Sequence, residues 1–373
     1  MIVYVILTIV TVVTAAFVRK QETEYTKTCT MTRQQVCNVI CLLTLFMLLF
    51  GVSACRYQVG NDYGRYEEFF HLIPLHQVVP TEFGFNAVVL AMQFLFGRDT
   101  KLTIFALFAF VTVAFMLKAV YDQSEDFLFS FFLFMTLSYY FQSLNTVRYY
   151  LAWAVAVFSM KLVLKKQYLK FILLIAVTAT IHKSVLLVIP VYLLAELLAQ
   201  LPQRSRLRKG ILLLLVFGAA SGLVLQELYL KIIVKFYPSY ENTAYLDGGT
   251  SFINILRIIG VFLFTLIYYR QAVAGSRQNQ FYFYLNFFAL LLYTCASFVP
   301  EISRVGYYMT AGHIFLLPSV ISHIADERQK KLWRVIVTAA AVLYFAVFLV
   351  KAQDLLVRIV PYHTWIFPAG IPS

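Results

Sequence analysis

Apolar runs about 15–20 residues long follow one another along almost the whole chain, parted by short polar connections. They lie at roughly 1–18, 35–54, 83–97, 102–117, 127–143, 147–164, 168–181, 185–199, 210–226, 252–269, 280–299, 304–325 and 332–350. Of the 373 residues, 61% are hydrophobic and 13% charged. Soluble domains hold about 45–50% apolar and about 25% charged residues, so a globular interior cannot absorb this surface and the excess must face lipid. In hydrocarbon every backbone N–H and C=O needs an internal partner, which leaves helices and closed barrels. The runs lack the in/out alternation of a barrel strand. The expected fold is an all-α polytopic membrane protein, a bundle of about 12–13 transmembrane helices forming one integral membrane domain over 1–373.

The net charge is +13. No nucleic-acid partner is implied, because the basic residues sit in clusters between apolar runs, as cytoplasmic loops facing anionic lipid do. Five connections hold well over half of them: 19–33 (Arg19, Lys20, Lys27, Arg33), 161–170 (Lys161, Lys165, Lys166, Lys170), 204–209, Arg270 with Arg277, and 328–334 (Arg328, Lys330, Lys331, Arg334). Placing all five in the cytoplasm puts both chain ends outside, together with the loops 55–82 and 227–251 and the short turns 142–147, 182–184 and 300–304. Parity then requires one net crossing for 83–117. The segment 83–97 is accordingly expected to be a half-helix or interfacial, and the acidic link 119–126 to lie inside. The first run carries its basic residues behind it, the reverse of a cleavable signal, and is expected to be an anchor. Cys37 and Cys41 are one helical turn apart with no matching Cys or His, which suits small apolar residues better than a metal site. The stretch Lys235–Tyr240 with Asp247-Gly248-Gly249 carries turn signals, as a connector or a cover over a cleft.

Four polar groups fall at ends of apolar runs, all on the expected outer side. They are Arg56, Tyr57, Gly60, Asp62, Tyr63 and Tyr66; Asn145, Arg148, Tyr149 and Tyr150; His182, Lys183 and Ser184; and Glu301, Arg304, Tyr307 and Tyr308. A charge at membrane depth costs about 2.5–3.5 kcal/mol on insertion scales. Arg148 leads straight into Leu151-Ala152-Trp153 and must pair with an acid (Asp62, Glu67, Glu68, Glu82 or Glu301) or face a polar cavity. Its planar guanidinium also suits a phosphate or diphosphate. His182 is either a satisfied core histidine or a neutral proton acceptor beside Lys183. Gly60-Asn61-Asp62 can be a plain turn, and the tyrosines can be interface anchors. Taken together, arginines for phosphate, aromatic faces for sugars and an aspartate or histidine to accept a hydroxyl proton make a kit for transferring a sugar from a lipid diphosphate. Zinc spacing, a phosphate-cradling loop and a dinucleotide fingerprint are absent from the sequence.

The run from Arg56 through Gly60, Asp62 and Tyr63 to Tyr66 resembles the R-x-x-x-G-x-D-Y-x-x-Y signature of the EpsG family, Wzy-type exopolysaccharide and O-antigen polymerases. The resemblance continues, in order, through Glu82-Phe83-Gly84, Asn145-x-x-Arg148 with Ala152, His182-Lys183-Ser184, Arg304-x-Gly306-Tyr307-Tyr308 and Val360-Pro361-Tyr362. It implies a fold like that of type-C glycosyltransferases in the bacterial cytoplasmic membrane, with the motifs facing its outer side. It implies a substrate linked to undecaprenyl diphosphate, polymerised by glycosyl transfer without metal, nucleotide sugar or other cofactor. A chain-length regulator and a flippase of the same pathway would be its partners, with the lipid bilayer around it. Asp62, His182 and Arg148 are the catalytic candidates: Arg148 for the leaving diphosphate, Asp62 or His182 as base. The substrate-binding candidates are Arg56, Tyr63, Tyr66, Asn145, Tyr149, Lys183, Ser184, Arg304, Tyr307 and Tyr308. Two other activities fit the same kit, a polysaccharide ligase and a polyprenyl-phosphate-dependent glycosyltransferase. A flippase or transporter of lipid-linked oligosaccharide is the alternative of another class, and would call for a repeat-related pair of broken helices near the midplane; the sequence shows none, and the charged groups lie toward one face. A scaffold for an assembly complex fits the composition and leaves Arg148 and His182 without a purpose.

Overall fold

A computed structural model describes residues 1–20, 32–98, 100–236, 252–299, 302–353 and 357–367. Among these residues regular structure is helical, and the extended pairing is one isolated antiparallel bridge, Arg56 to Thr364. The helices in chain order are α1 (Ile2–Ala15), α2 (Arg33–Ala54), α3 (Tyr63–Leu72), α4 (Phe83–Phe96), α5 (Lys101–Gln123), α6 (Phe127–Thr136), α7 (Tyr139–Gln142), α8 (Val147–Leu164), α9 (Tyr168–Ala179), α10 (Val188–Gln200), α11 (Arg206–Val224), α12 (Gln226–Phe236), α13 (Phe252–Ile267), α14 (Arg277–Cys295), α15 (Ile302–Thr310), α16 (His313–Ser322) and α17 (Glu327–Lys351). A short 3-10 turn, Lys183–Leu187, leads into α10. The protein is an all-α polytopic membrane protein. Six helical stretches of the described residues are long and apolar enough to cross a bilayer: α2, α5, α8, Lys183–Gln200, α11 and α17. Other apolar helices, α1, α4, α6, α9 and α13, are shorter than 18 residues.

The chain divides into two compact units: Met1–Lys161 with Lys170–Val185 and Leu332–Ser373, and Leu162–Leu169 with Leu186–Lys331. In the first unit α8 is the inner helix, with 72% of its apolar window buried against 22% for α2 and 17% for α17. This explains how Arg148 and Lys161 can stand at its two ends while its middle, Ala152 to Val157, is wholly enclosed. Polar contacts gather at those ends, about 27 Å apart for a helix of this length. At one end Lys161 meets Asp122, Arg334 meets Asp126 (2.9 Å), and Asn38 accepts the Arg19 N–H (3.0 Å). At the other lie residues 56–62, 82, 145–148 and 182–183. Arg19, Asn38, Asp122, Asp126, Lys161 and Arg334 thus share one end of the unit.

The same contacts settle the path of 83–117. Glu82, at the start of α4, pairs with Arg148, and Lys101, just after α4, pairs with Glu67 of α3 (2.7 Å). Both ends of α4 therefore lie at the Arg148 end, and α5 alone traverses the unit. The acidic link is shorter than expected, because α5 runs on to Gln123 with Asp122 inside it. Lys118 one turn earlier (2.7 Å) and Lys161 of α8 hold that carboxylate, so the helix carries it without breaking.

Two runs that read as single apolar segments are interrupted. Residues 127–143 form α6 and α7, parted at Leu137-Ser138, where Ser138 is left-handed (φ 64°). Residues 304–325 form α15 and α16, parted at Ala311-Gly312. Hydropathy does not register a backbone break inside an all-apolar run.

In the second unit α14 packs against α10, α11, α13, α15 and α16. Enclosure by five neighbours lets it be polar. Asn279 donates to Ala272 O and Ser319 Oγ (both 2.8 Å). Asn286 donates to Ile258 O (3.4 Å) and meets His313 Nε2 at 2.6 Å. Each buried amide thus finds a neighbouring helix, as it must away from water. Of the expected loop 227–251, residues up to 236 belong to α12; the rest lies outside the described residues.

Candidate active site

Arg148 is the second residue of α8, where the helix dipole disfavours a cation, so its place there is not owed to helix stability. Its guanidinium forms an ion pair with Glu82 Oε2 and lies 5.3 Å from the Phe85 ring centre. The two side chains are 15% and 19% exposed. The sequence leaves Arg148 with either an acid or a polar cavity; the structure supplies the acid.

Glu82 is the N-cap of α4, yet its side chain caps nothing in its own helix. Oε2 takes Arg148, while Oε1 accepts the Lys183 N–H (3.1 Å) and stands 3.8 Å from His182 Nδ1. One carboxylate thereby ties the starts of α4 and α8 to the turn after α9. Gly84 makes this possible. Its N–H donates to Thr180 O (2.8 Å), and a Cβ there would overlap the Thr180 side chain. Gly84→Ala should push α4 off that turn and draw Glu82 away. Overpacking of this kind costs about 1–3 kcal/mol, so the melting temperature in detergent should fall while membrane insertion, followed by immunoblot, is unchanged. His182 packs edge-on against Tyr149 (5.7 Å), itself 2% exposed. Lys183 is exposed and Ser184 half-buried.

The first and second motifs interlock. Gly60 has φ +98°, and a Cβ on it would strike Leu144 O, so the two backbones touch. The Asn61 N–H donates to Asn145 Oδ1 (2.8 Å) and the Thr146 hydroxyl to Asp62 Oδ2 (2.9 Å). From α3, Tyr66 accepts the Arg148 N–H (3.3 Å). Burial raises the Tyr66 phenol above its usual range, with Arg148 opposing, and keeps it protonated. Tyr63 stacks on Phe105 (4.4 Å) and is likewise raised by burial.

Arg56 is placed differently from the other cations. It is 2% exposed, bonds Ser53 O and Oγ at the end of α2, and lies 5.3 Å from the Phe105 ring centre. Burial holds it below the ordinary guanidinium range. A cation on the last carbonyls of a helix is favoured by the dipole. The terminal motif closes over it: Tyr57 N–H donates to His363 O (3.0 Å), Gly60 N–H to Arg358 O (2.9 Å), and the Tyr362 hydroxyl to Val52 O (2.9 Å). Burial, with Cys55 nearby, pushes the Tyr362 phenol up to about 12. Arg56 thus braces the loop that presents Asp62.

The first unit brings together Asp62, Asn145, Arg148, Tyr149, His182 and Lys183, with Tyr66 beneath. Arg304, Tyr307 and Tyr308 belong to the second unit, on α15. There Arg304 and Tyr307 are half-buried, and Tyr308 O accepts from the Tyr192 hydroxyl (2.9 Å). Glu301 lies outside the described residues. Sequence reasoning passed over Glu82 and Thr146 as site residues. The signal for Glu82 was its motif, Glu82-Phe83-Gly84, in which an acid precedes a glycine at a helix start.

No curated protein and no solved structure matches the chain. The family model of the EpsG family matches residues 39–364, from within α2 to the segment that closes over Arg56. That span takes in every motif residue described above, and the chain belongs to the EpsG family.

Proposed function

We propose that this protein polymerises oligosaccharide repeat units carried on undecaprenyl diphosphate, at the outer face of the bacterial cytoplasmic membrane. Family membership points to a polysaccharide-polymerase-like function. The observation that carries the finer proposal is the Arg148–Glu82 pair with His182 and Lys183 beside it. Arg148 supplies a planar guanidinium, which suits the oxygens of a developing diphosphate. The acceptor hydroxyl oxygen attacks the anomeric carbon of the donor sugar. The bond from that carbon to the diphosphate oxygen breaks, and undecaprenyl diphosphate leaves with the electron pair. The hydroxyl proton passes to His182 Nε2, because Nδ1 faces Glu82, which would steady the imidazolium. Asp62, held by Thr146, is the second candidate base. The tyrosines expected to stack on sugars are mostly enclosed: Tyr63, Tyr66, Tyr149 and Tyr308 are 2–3% exposed and brace the site instead, and Tyr307 alone of the five is half-buried. A chain-length regulator and a flippase are proposed as partners.

The transporter alternative keeps one observation in its favour, the interrupted runs 127–143 and 304–325. The test is purified protein in liposomes with a synthetic lipid-linked repeat unit. A ladder of lengthened glycans with release of undecaprenyl diphosphate is expected. A single defined addition would indicate a ligase or one-sugar transferase, and movement of substrate across the bilayer without turnover would indicate a transporter.

A further inference from the structure

The helix α11 has 19 residues and so rises about 28 Å, close to the thickness of a bilayer's hydrocarbon core. Only 11% of its apolar window is buried, and Leu223 and Val224 in its last turn are exposed, so its surface faces lipid up to its end. The chain therefore leaves α11 at the depth of the headgroups. There it enters another helix at once. α12 begins two residues later and carries eleven residues, about 16 Å, too short to cross. The axis also turns. Ser221 and Tyr229 would stand about 12 Å apart along a straight helix, beyond the joint reach of their side chains, yet their hydroxyls meet at 2.8 Å. The Tyr229 ring stacks on Phe298, and a Cβ on Gly222 would strike Cys295 O, so the corner is packed against the end of α14.

The side of α12 turned away from that packing is amphipathic. Leu225, just ahead of the helix, Leu228 and Ile232 recur at three- and four-residue spacing, and all are exposed. Lys231 and Lys235, one turn apart, form an exposed strip beside them, against one acid, Glu227, in the first turn. An apolar strip held at headgroup depth lies in the outermost hydrocarbon, and lysine stems carry their ammonium groups from there to the phosphates. Paired lysines favour headgroups with a net negative charge over zwitterionic ones.

We propose that α12 lies in the plane of the membrane surface and binds anionic phospholipid, with Leu225, Leu228 and Ile232 among the acyl chains and Lys231 and Lys235 on the headgroup phosphates. This seat is independent of the reaction the protein performs. The first test uses the full chain, its five cysteines replaced by serine, in nanodiscs of phosphatidylcholine and phosphatidylglycerol. Nitroxides on Leu228→Cys and Ile232→Cys should be reached by oxygen and shielded from a water-soluble nickel chelate, while those on Lys231→Cys and Lys235→Cys should meet the chelate. Labels at 228 and 232 reached freely by the chelate would leave α12 in water, and labels shielded from both reagents would put protein over it; either result overturns the proposal. The second test uses a phosphatidylglycerol carrying a diazirine near its headgroup. It should form adducts within residues 225–235, fewer by about fivefold for each of Lys231→Gln and Lys235→Gln, the ratio that about 1 kcal/mol gives. A phosphatidylcholine probe should label the segment equally in all three proteins. Adducts of the anionic probe undiminished in both glutamine variants, each shown folded by its melting curve, would overturn the proposal, as would an equal loss with both probes.

Discussion

Arg148→Ala is expected to abolish chain lengthening while the protein still inserts in the membrane. Glu82 takes the Arg148 guanidinium on one carboxylate oxygen and the Lys183 backbone N–H on the other, and this change removes the cation. Glu82 would keep the Lys183 N–H and the neighbouring imidazole, so the fold should survive. Because both partners are partly exposed, the stability loss should be about 1–3 kcal/mol, below that of a fully buried pair. Activity should suffer more, since removing one preorganised donor from a developing negative charge costs about 10²–10³-fold. Arg148→Lys separates the two effects. It restores the charge beside Glu82, and with it most of the stability. It lacks the planar fork that engages two phosphate oxygens, so polymer yield should stay about 10²-fold down. Melting temperature in detergent and glycan length on a gel read the two quantities independently. Full activity in Arg148→Lys would reduce the residue to a point charge in an ion pair.

Gly60→Ala should be the most damaging change away from the charged cluster. At φ +98° an alanine is strained by about 1–3 kcal/mol. Its Cβ would also overlap Leu144 O, a backbone atom that cannot swing aside. The loop must then part from residues 144–146, breaking the Asn61–Asn145 and Asp62–Thr146 hydrogen bonds together. The expected result is a fall of roughly 2–8 °C in Tm with activity down about 10²-fold. Thr146→Val is the control. It removes one hydrogen bond and keeps the shape, for about 0.5–1.5 kcal/mol. If Gly60→Ala behaved no worse than Thr146→Val, the interlock of the two motifs would be less tight than the backbone contact indicates.

The helices were legible where an apolar run is bounded by charge. α2, α8, α11 and α17 begin and end within a few residues of the positions that hydropathy alone suggests. The breaks at Ser138 and Gly312 were not, because both sit in uniformly apolar surroundings and concern backbone angles. The extension of α5 through Asp122 was not, because one of the two lysines that hold this acid inside the helix lies 39 residues away. At the candidate site the motif residues stood out by their cost at membrane depth. Their partners did not: nothing local at Arg148 names Glu82, 66 residues earlier. Arg56 and Arg148 look alike in the sequence, each beside an apolar run, yet one is enclosed under tyrosines and the other faces a carboxylate. Only tertiary packing separates an arginine bonded to a helix end from one paired with a distant carboxylate.

The central claim is that the Arg148–Glu82 cluster does chemistry beyond holding three helix ends together, and a double substitution tests it. In Glu82→Ala with Arg148→Ala neither charge is left without its partner, so stability should recover towards that of the unchanged protein. Polymer formation from a synthetic lipid-linked repeat unit is predicted to stay undetectable. Ladders of normal length from the double variant would contradict the account, because the pair would then be structural and the glycosyl transfer would have to occur elsewhere.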